Sequence, residues 1–148
     1  ITTTNSVLLI NEGDFQFSQR ELPRLVQSFP IRDAISLDLN EDGLNDLIAI
    51  GTIYDTEVET PRLDAGTGLV LINDGEGYKL DSEAYYLYIS GDLRSIDKLE
   101  NATNRSLIVL RNDDAPYFVN QLWSWTNGSE NLRIYMKSEK EVSFFKLI

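Results

Sequence analysis

Short apolar runs separated by polar, turn-forming residues dominate the chain. Four of the runs, VLLI, LIAI, LVLI and LIVL, are continuously apolar, which is typical of strands covered on both faces. Clusters of Gly, Asn, Asp or Pro bound the runs and favour turns. The pattern predicts eight strands: Val7–Asn11, Ala34–Leu37, Asp46–Gly51, Leu69–Asn73, Tyr85–Ile89, Leu107–Arg111, Pro116–Gln121 and Leu132–Met136.

One segment, SQRELPRLVQS (18–28), carries a helical spacing of apolar residues. Leu22, Leu25 and Val26 would share one face of a helix there. Pro23 lies inside the segment and limits any helix to one or two turns, because proline removes a backbone donor and clashes with the preceding turn. We therefore expect a loop over these residues.

The chain also carries an internal repeat. SVLLINEGDFQF (6–17) aligns with GLVLINDGEGYKL (68–80), so that Ile10 matches Ile72 at an offset of 62 residues. A looser pair, residues 34–51 against 95–112, has an offset of 60–61 residues. Two separate segments with nearly the same period indicate a duplicated unit of about 60 residues.

Repeated units of about four short strands with little helix favour an all-β fold built from β-propeller blades. We expect one domain over residues 1–148, with a partial unit at 1–30 and further units at 31–92 and 93–148. That amounts to about two to two and a half blades, fewer than the roughly four to eight of a closed propeller. A β-sandwich is the alternative, although it would not require the repeat.

The amino-acid composition excludes several types of functional site and binding partner. The chain has no Cys and no His, which excludes disulfides, cysteine nucleophiles, Ser-His dyads and the usual zinc and haem ligands. Its net charge of −11 disfavours nucleic acid and anionic membrane surfaces and favours divalent cations. No apolar run approaches the about 18–20 residues of a membrane span. Because the chain starts at Ile1, we expect a processed form or an excerpt.

The stretch DLNEDGLND (38–46) has the composition of a calcium loop. Calcium prefers carboxylate and carbonyl oxygens, and such side chains stand at Asp38, Asn40, Asp42 and Asp46, with the Leu44 carbonyl between them. Gly43 permits the sharp turn. Leu39 and the pair Leu47-Ile48 should anchor the loop to the sheet. An EF-hand is excluded, since its twelfth position would be Ala49 rather than Glu. The alternative is an ordinary polar turn.

The order of elements here resembles the FG-GAP/VCBS repeats, which are found in integrin-α-type propellers and bacterial surface proteins. In that order, a strand is followed by the motif D-x-N-x-D-G-x-x-D-L, by a second apolar strand, and by a downstream G-x-V-x-[LI] strand that ends in N-D-G. The resemblance covers residues 31–80. It implies Ca²⁺ bound by Asp38, Asn40, Asp42, the Leu44 carbonyl and Asp46. The second unit reads LENATNRSL (99–107) at this place, without the glycine, and we expect that it has lost the ion.

Two further groups of residues are candidates for a ligand or partner surface. An acidic connection carries Tyr54, Asp55, Glu57, Glu59, Arg62 and Asp64. It could form a second cation site or a partner-binding loop; its simpler interpretation is a solvated loop that Arg62 ties down by a salt bridge. Trp123 and Trp125 would share one face of a strand and could form a sugar platform, although packing is the simpler role.

These observations favour a non-enzymatic calcium-binding propeller segment of an extracellular, cell-surface or periplasmic protein that serves adhesion or assembly. Its partner would be another protein, the remaining blades of a longer chain, or further copies of itself. The alternative is a carbohydrate-binding or enzyme-associated propeller module. Carboxylate pairs alone do not indicate a glycosidase, because nothing in the sequence pairs them with a sugar cleft.

Overall fold

The computed structural model describes residues 4–80, 87–100 and 105–120, and this part of the chain is all-β. A single 3₁₀ helix (Arg24–Ser28) is the only helical element in these ranges. The strands are β1 (Val7–Gly13), β2 (Gln16–Glu21), β3 (Asp33–Leu37), β4 (Asp46–Ile53), β5 (Leu63–Asn73), β6 (Tyr78–Lys79), β7 (Asp92–Glu100), β8 (Arg105–Asn112) and β9 (Tyr117–Asn120).

The strands form three small antiparallel sheets, each in chain order. The first is the hairpin β1–β2, the second is the four-stranded sheet β3–β4–β5–β6, and the third is the three-stranded sheet β7–β8–β9. In the second sheet Ile35 pairs with Ile48, and Ile48 pairs with Val70. None of the three sheets closes on itself within the described ranges.

Strand β4 and the second half of β5 are buried on both faces, as their continuously apolar runs predict, whereas β3 has one exposed face. Ile48, Ile50 and Val70 on one face pack with Leu93 and Val109 of the third sheet. The residues of β4 and β5 on the opposite face pack against the β1–β2 hairpin and the 3₁₀ helix through Ala49, Leu69, Leu71, Leu8, Leu22 and Val26. The central sheet is therefore the middle layer of three.

Two hairpins share an Asn-x-Gly hydrogen bond next to turns of different length, residues 14–15 in β1–β2 and residues 74–77 in β5–β6. At the end of β1, the Gly13 N–H donates to Asn11 Oδ1 at 2.9 Å, and Gly13 has a φ of 88°. In the β5–β6 turn, the Gly75 N–H donates to Asn73 Oδ1 at 3.0 Å, and Gly75 has a φ of 85°. A side-chain oxygen that accepts from the backbone two residues on stabilises such turns, and glycine adopts the left-handed conformation without strain.

Polar contacts join the second and third sheets. Thr52 is fully buried, and its Oγ1 donates to the Gly91 carbonyl at 2.9 Å and accepts from the Leu93 N–H at 2.6 Å. Asp33 Oδ2 accepts from the Ser95 hydroxyl at 2.7 Å and from the Ile96 N–H at 3.0 Å. These hydrogen bonds fix β7 against the edge of the central sheet.

The contacts of Asp33 predict a pH effect. Burial alone would raise the pKa of Asp33, but hydrogen bonds from Ile96, Ser95 and Ala34 favour the charged form, and the pKa lies below its usual 3.8. A carboxyl with a lowered folded pKa stabilises the fold above about pH 3.8 and loses this contribution as the pH falls through the folded value. We expect Asp33→Asn to cost about 1 kcal/mol at neutral pH.

Urea denaturation at pH 7 and pH 3 checks this effect. Because other carboxyls also titrate, the informative quantity is the difference between wild type and Asp33→Asn, which should shrink at the lower pH. Asp97→Asn, an exposed change on β7, is the control. A difference that stays constant or widens toward pH 3 would contradict the assignment.

Several predicted elements require correction. The first part of the 18–28 segment is strand β2, and the 3₁₀ helix begins only after Pro23, since the fixed φ of proline suits a helix start. Leu87–Ile89, predicted as strand, is not strand: Leu87 and Ile89 donate to Gly68 and Thr67, but Tyr88 between them has a φ of 48°. Strand β7 was not predicted. Leu132–Met136, Trp123 and Trp125 lie outside the described residues.

In the described part of the chain, no helix is long and apolar enough to span a membrane.

Candidate functional site

The loop 38–46 is the turn between β3 and β4, and its backbone reverses sharply. Glu41 has a φ of 60° and Gly43 a φ of 86°, so two residues are in left-handed conformations. A Cβ at Gly43 would meet nothing within 4 Å, and its requirement for glycine is therefore conformational rather than steric. Leu39 and Ile48 are fully buried and anchor both ends of the loop, as the sequence predicts.

Three of the predicted calcium ligands turn inward on this loop. Asp38 Oδ1 and Asn40 Oδ1 both accept from the Asp42 N–H, at 3.2 and 3.1 Å. Asp38 Oδ2 accepts from the Gly43 N–H at 2.9 Å, and Asp42 Oδ1 accepts from the Leu44 N–H at 2.8 Å. The Asn40 amide donates to Asp42 Oδ2 at 2.8 Å. Oxygens from Asp38, Asn40 and Asp42 therefore lie around a few backbone amides.

Asp46 lies beneath the loop and is fully buried. Its Oδ2 accepts from the Leu39 N–H and its Oδ1 from the Asn73 N–H, both at 2.8 Å. Burial raises the pKa of Asp46; the two N–H donors oppose this, and repulsion from Asp42 and Asp38 raises it further. Asp46 thus links the loop to β5, and its charge is repelled by the carboxylates of Asp38 and Asp42.

The loop also contacts the β5–β6 turn, the N-D-G part of the repeat pattern. The Asn45 carbonyl accepts from Asn73 Nδ2 at 3.1 Å and from the Tyr78 hydroxyl at 3.3 Å. Burial, followed by the charge of Asp46, raises the pKa of Tyr78 above its usual 10.0. The two segments that carried the sequence resemblance are therefore in direct contact, although they lie far apart along the chain.

The donor chemistry of the loop suits a hard dication. Carboxylate and amide oxygens are the ligands that calcium prefers, and three mutually repelling carboxylates favour a positive charge. Asp38, Asn40, Asp42 and Asp46 would hold the ion, together with the Leu44 carbonyl. Within the described ranges, no three Asp or Glu side chains come together closely enough to form a metal site without rearrangement. Asp38 and Asp42 would have to exchange backbone N–H donors for the ion.

The acidic connection between β4 and β5 does not gather into one site. Glu57, Glu59 and Asp64 are exposed. Arg62 makes no ion pair with any described residue, which corrects the predicted salt bridge; its guanidinium instead lies over the Tyr54 ring, 5.0 Å from the centroid. A cation–π contact of this kind ties the connection to the end of β4.

Tyr54 and Asp55 line a cavity of about 510 Å³, which the sequence did not reveal. Asp92, Asn112, Asp113 and Asp114 complete its polar lining. Asp92 is 5% exposed; its Oδ2 accepts from Arg94 at 2.6 Å and from Asn112 at 3.3 Å, whereas its Oδ1 has no hydrogen-bond partner in the described part of the chain. The only sequence feature that could have indicated this part of the cavity is the N-D-D run at 112–114, and such a run is equally typical of an ordinary turn.

Comparisons of the chain with family models, with characterised proteins and with solved structures find no match.

Proposed function

We propose that the chain is a non-enzymatic, calcium-binding segment of β-propeller blades that mediates protein–protein adhesion or assembly outside the cytoplasm. The loop 38–46 is the observation that carries this proposal. It places Asp38, Asn40 and Asp42 side by side on one turn, with the buried Asp46 carboxylate beneath them. A dication there would offset the repulsion and rigidify the β3–β4 hairpin.

The sheet topology supports the blade interpretation. Sheet β3–β4–β5–β6 is a four-stranded antiparallel meander, the form of a propeller blade. The hairpin β1–β2 carries the same Asn-x-Gly hydrogen bond as β5–β6, and the hairpin β7–β8 falls on the part of the chain that the repeat aligns with β3–β4. In the proposed arrangement, β1–β2 is the outer half of one blade and β7–β8–β9 belongs to the blade that follows the central one.

Unpaired edges and exposed apolar side chains support a role in association. Strand β1 pairs only with β2 among the described strands. Asn11 pairs with Phe17, so Leu9 and Phe17 lie diagonally on one face of this hairpin, and each is 61% exposed. Phe15 in the turn is 99% exposed. Such edges pair readily with another strand, which would come from the remaining blades, a partner protein or a second copy.

The first test is thermal unfolding with about 2 mM CaCl₂ and with EDTA. For the dissociation constants of extracellular calcium modules, about 0.1–1 mM, this concentration stabilises the fold by about 0.6–1.8 kcal/mol, or roughly 1–7 °C in Tm. Asp42→Ala should abolish most of this shift. Its stability in EDTA should change by less than about 0.5 kcal/mol, because its contacts are exposed.

Glu41→Gln is the matched control, since it removes one charge from the same loop at a position that is not a proposed ligand. It should retain the calcium shift. An equal loss for Asp42→Ala with calcium and with EDTA would refute the ion site. Light scattering on the same samples reports whether the blades associate with further copies.

The carbohydrate-binding alternative rests on a ligand surface formed by the aromatic and acidic loops together. Trp123 and Trp125 lie outside the described residues, and the carboxylates of the acidic connection do not gather into one site. The adhesion or assembly role therefore remains our proposal.

A further inference from the structure

We infer that the chain associates head to tail with a second copy of itself, through the outer face of β7–β8–β9 on one copy and the outer face of the β1–β2 hairpin on the other. This inference rests on the proposed function in one respect: it names the partner of a protein that acts by association. It does not depend on calcium, because neither face contains a residue of the loop 38–46.

The three sheets are stacked so that the first two present the same side to the sheet that follows. At the 62-residue offset of the repeat, Leu8 of β1 corresponds to Val70 of β5. Leu8 packs against the central sheet, and Val70 packs against the third sheet. We call this side, which contains Leu8 in the hairpin and Val70 in the central sheet, the forward side.

The opposite side, here called the backward side, receives the preceding sheet in both contacts. In the central sheet it carries Ala49 and Leu71, which lie in the buried cluster against the hairpin. The run LIVL of β8 aligns with LIAI of β4 at a 60-residue offset, so Val109 corresponds to Ala49. Val109 is fully buried in the cluster that joins the central and third sheets. Both contacts therefore join a forward side to a backward side.

The backward side of the β1–β2 hairpin is exposed. Leu9 corresponds to Leu71 in the repeat, yet Leu9 is 61% exposed whereas Leu71 is fully buried. Phe17 and Tyr78 both pair with the asparagine that precedes the turn; Tyr78 packs against the buried cluster, whereas Phe17 is 61% exposed. Side chains that are covered in the central sheet are thus in contact with solvent at this end of the stack.

The forward side of the third sheet is exposed at the other end. Leu110 corresponds to Ile50 at the 60-residue offset; Ile50 is fully buried, whereas Leu110 is 46% exposed. On the same side of the sheet, Leu99 is 44% exposed, and the paired residues Ile108 and Phe118 are only partly buried. This apolar side is the counterpart of the one that the central sheet buries against its neighbour.

The two exposed sides are the two halves of a contact that the molecule already makes twice. A second copy can place the forward side of its third sheet on the backward side of the hairpin, which removes apolar side chains of both copies from water. Because the two surfaces differ, the contact is heterologous. It leaves one free surface at each end, and further copies add until a ring closes or the assembly grows.

The charge of the chain predicts how salt affects this contact. Two copies that each carry a net charge of −11 repel each other at long range. Salt screens this repulsion and leaves the apolar contact intact, so self-association should strengthen with ionic strength. Binding of a basic partner would show the opposite dependence.

The test is sedimentation velocity of the full chain at chain concentrations between about 10 and 500 μM, a range suited to small interfaces. At the upper concentrations the wild type should sediment as species larger than one chain. The proportion of these species should rise when NaCl is increased from about 0.15 M to about 0.5 M.

Two variants block one surface each. Leu9→Glu changes the hairpin and Leu110→Glu changes the third sheet; both positions are exposed, so both proteins should fold. Alone, each should sediment as a single chain, with association weakened at least about tenfold, because the contact would bury an unpaired charge. An equimolar mixture should form a species of two chains and nothing larger, since each variant keeps the surface that the other has lost.

Val58→Glu is the matched control: it makes the same kind of change at a fully exposed position on the connection between β4 and β5, away from both surfaces, and should associate like wild type. A wild type that stays a single chain in all conditions would overturn the inference, and the two sides would then belong to contacts with other proteins or repeat units. A mixture of the two blocked variants that stays as single chains, or association of either variant alone, would overturn it as well.

Sedimentation with about 2 mM CaCl₂ and with EDTA separates this inference from the calcium proposal. If the chains associate as described in both conditions while CaCl₂ leaves the melting temperature unchanged, the head-to-tail contact stands and calcium at the loop 38–46 is refuted. If CaCl₂ raises the melting temperature but the wild type stays a single chain, the calcium site stands and the head-to-tail contact is refuted.

Discussion

Asp46→Ala is expected to destabilise the protein by about 3 kcal/mol, or roughly 6–12 °C in Tm, in EDTA, and by more in calcium, because Asp46 is also a proposed ligand of the ion. The substitution removes the acceptors of two backbone N–H groups, those of Leu39 and Asn73, at a fully buried position. Each buried donor left without a partner costs about 1–3 kcal/mol, and relief of the buried charge offsets a part of this. The loss should therefore exceed that of any exposed loop variant.

The contrast with Asp42→Ala separates two roles within one loop. Asp42 should matter only when calcium is present, because its hydrogen bonds are exposed. Asp46 should matter in both conditions, because it links the loop to β5 whether or not an ion is bound. Melting curves of both variants with calcium and with EDTA give the four values that this comparison needs.

Asp46→Asn is the more conservative partner of this experiment. Its amide keeps one acceptor oxygen and places an NH₂ group against the other backbone N–H, so the loss should be smaller than for alanine but still measurable. If Asp46→Ala were as stable as wild type in EDTA, the hydrogen bonds to Leu39 and Asn73 would not contribute to the fold. The assignment of Asp46 as a buried, stabilising link between the loop and the sheet would then be wrong.

Strands that are buried on both faces could be predicted from the sequence. The runs LIAI in β4 and LVLI in β5 are buried on both faces as predicted, and only the strand ends were misplaced. The prediction was wrong for LIVL in β8 and VLLI in β1, which are covered on one face only, since Leu110 and Leu9 are exposed. The polar strands could not be predicted. In β7 a register shift between Leu93 and Ser95 breaks the alternation of buried Leu93 and Ile96 with polar residues. Strand β2 reads QFSQRE, which carries no apolar alternation because most of it is exposed.

The candidate sites also differ in how far they could be predicted from the sequence. The loop 38–46 is contiguous in sequence, so its ligand-type residues could be identified directly. The role of Asp46 could not, because it depends on the pairing that brings Asn73 of β5 beside β4. The acidic cavity is the extreme case: its lining comes from three strand ends, of which the sequence marked only Tyr54 and Asp55. Residues joined by tertiary pairing leave no local signal.

Gly51→Ala should produce the largest effect of any single substitution discussed, a loss of more than about 4 kcal/mol, which is a large part of the stability of an ordinary domain. Gly51 lies in β4, where the backbone of residues 30–32, just before β3, lies against it, and the Arg32 N–H donates to the Ile50 carbonyl at 2.9 Å. A Cβ at Gly51 would overlap the Pro30 carbonyl oxygen and lie 2.7 Å from the Arg32 nitrogen.

The neighbouring atoms cannot move aside, because they are backbone atoms held by that hydrogen bond and by the packing of Ile31. Gly77→Ala is the matched control: a Cβ there meets nothing within 4 Å, so its stability should stay within about 0.5 kcal/mol of wild type. Urea denaturation of both variants decides the matter. A Gly51→Ala protein as stable as Gly77→Ala would mean that the backbone of residues 30–32 does not lie against Gly51. An equal loss in calcium and in EDTA is expected, since the strain lies in the sheet and not in the loop.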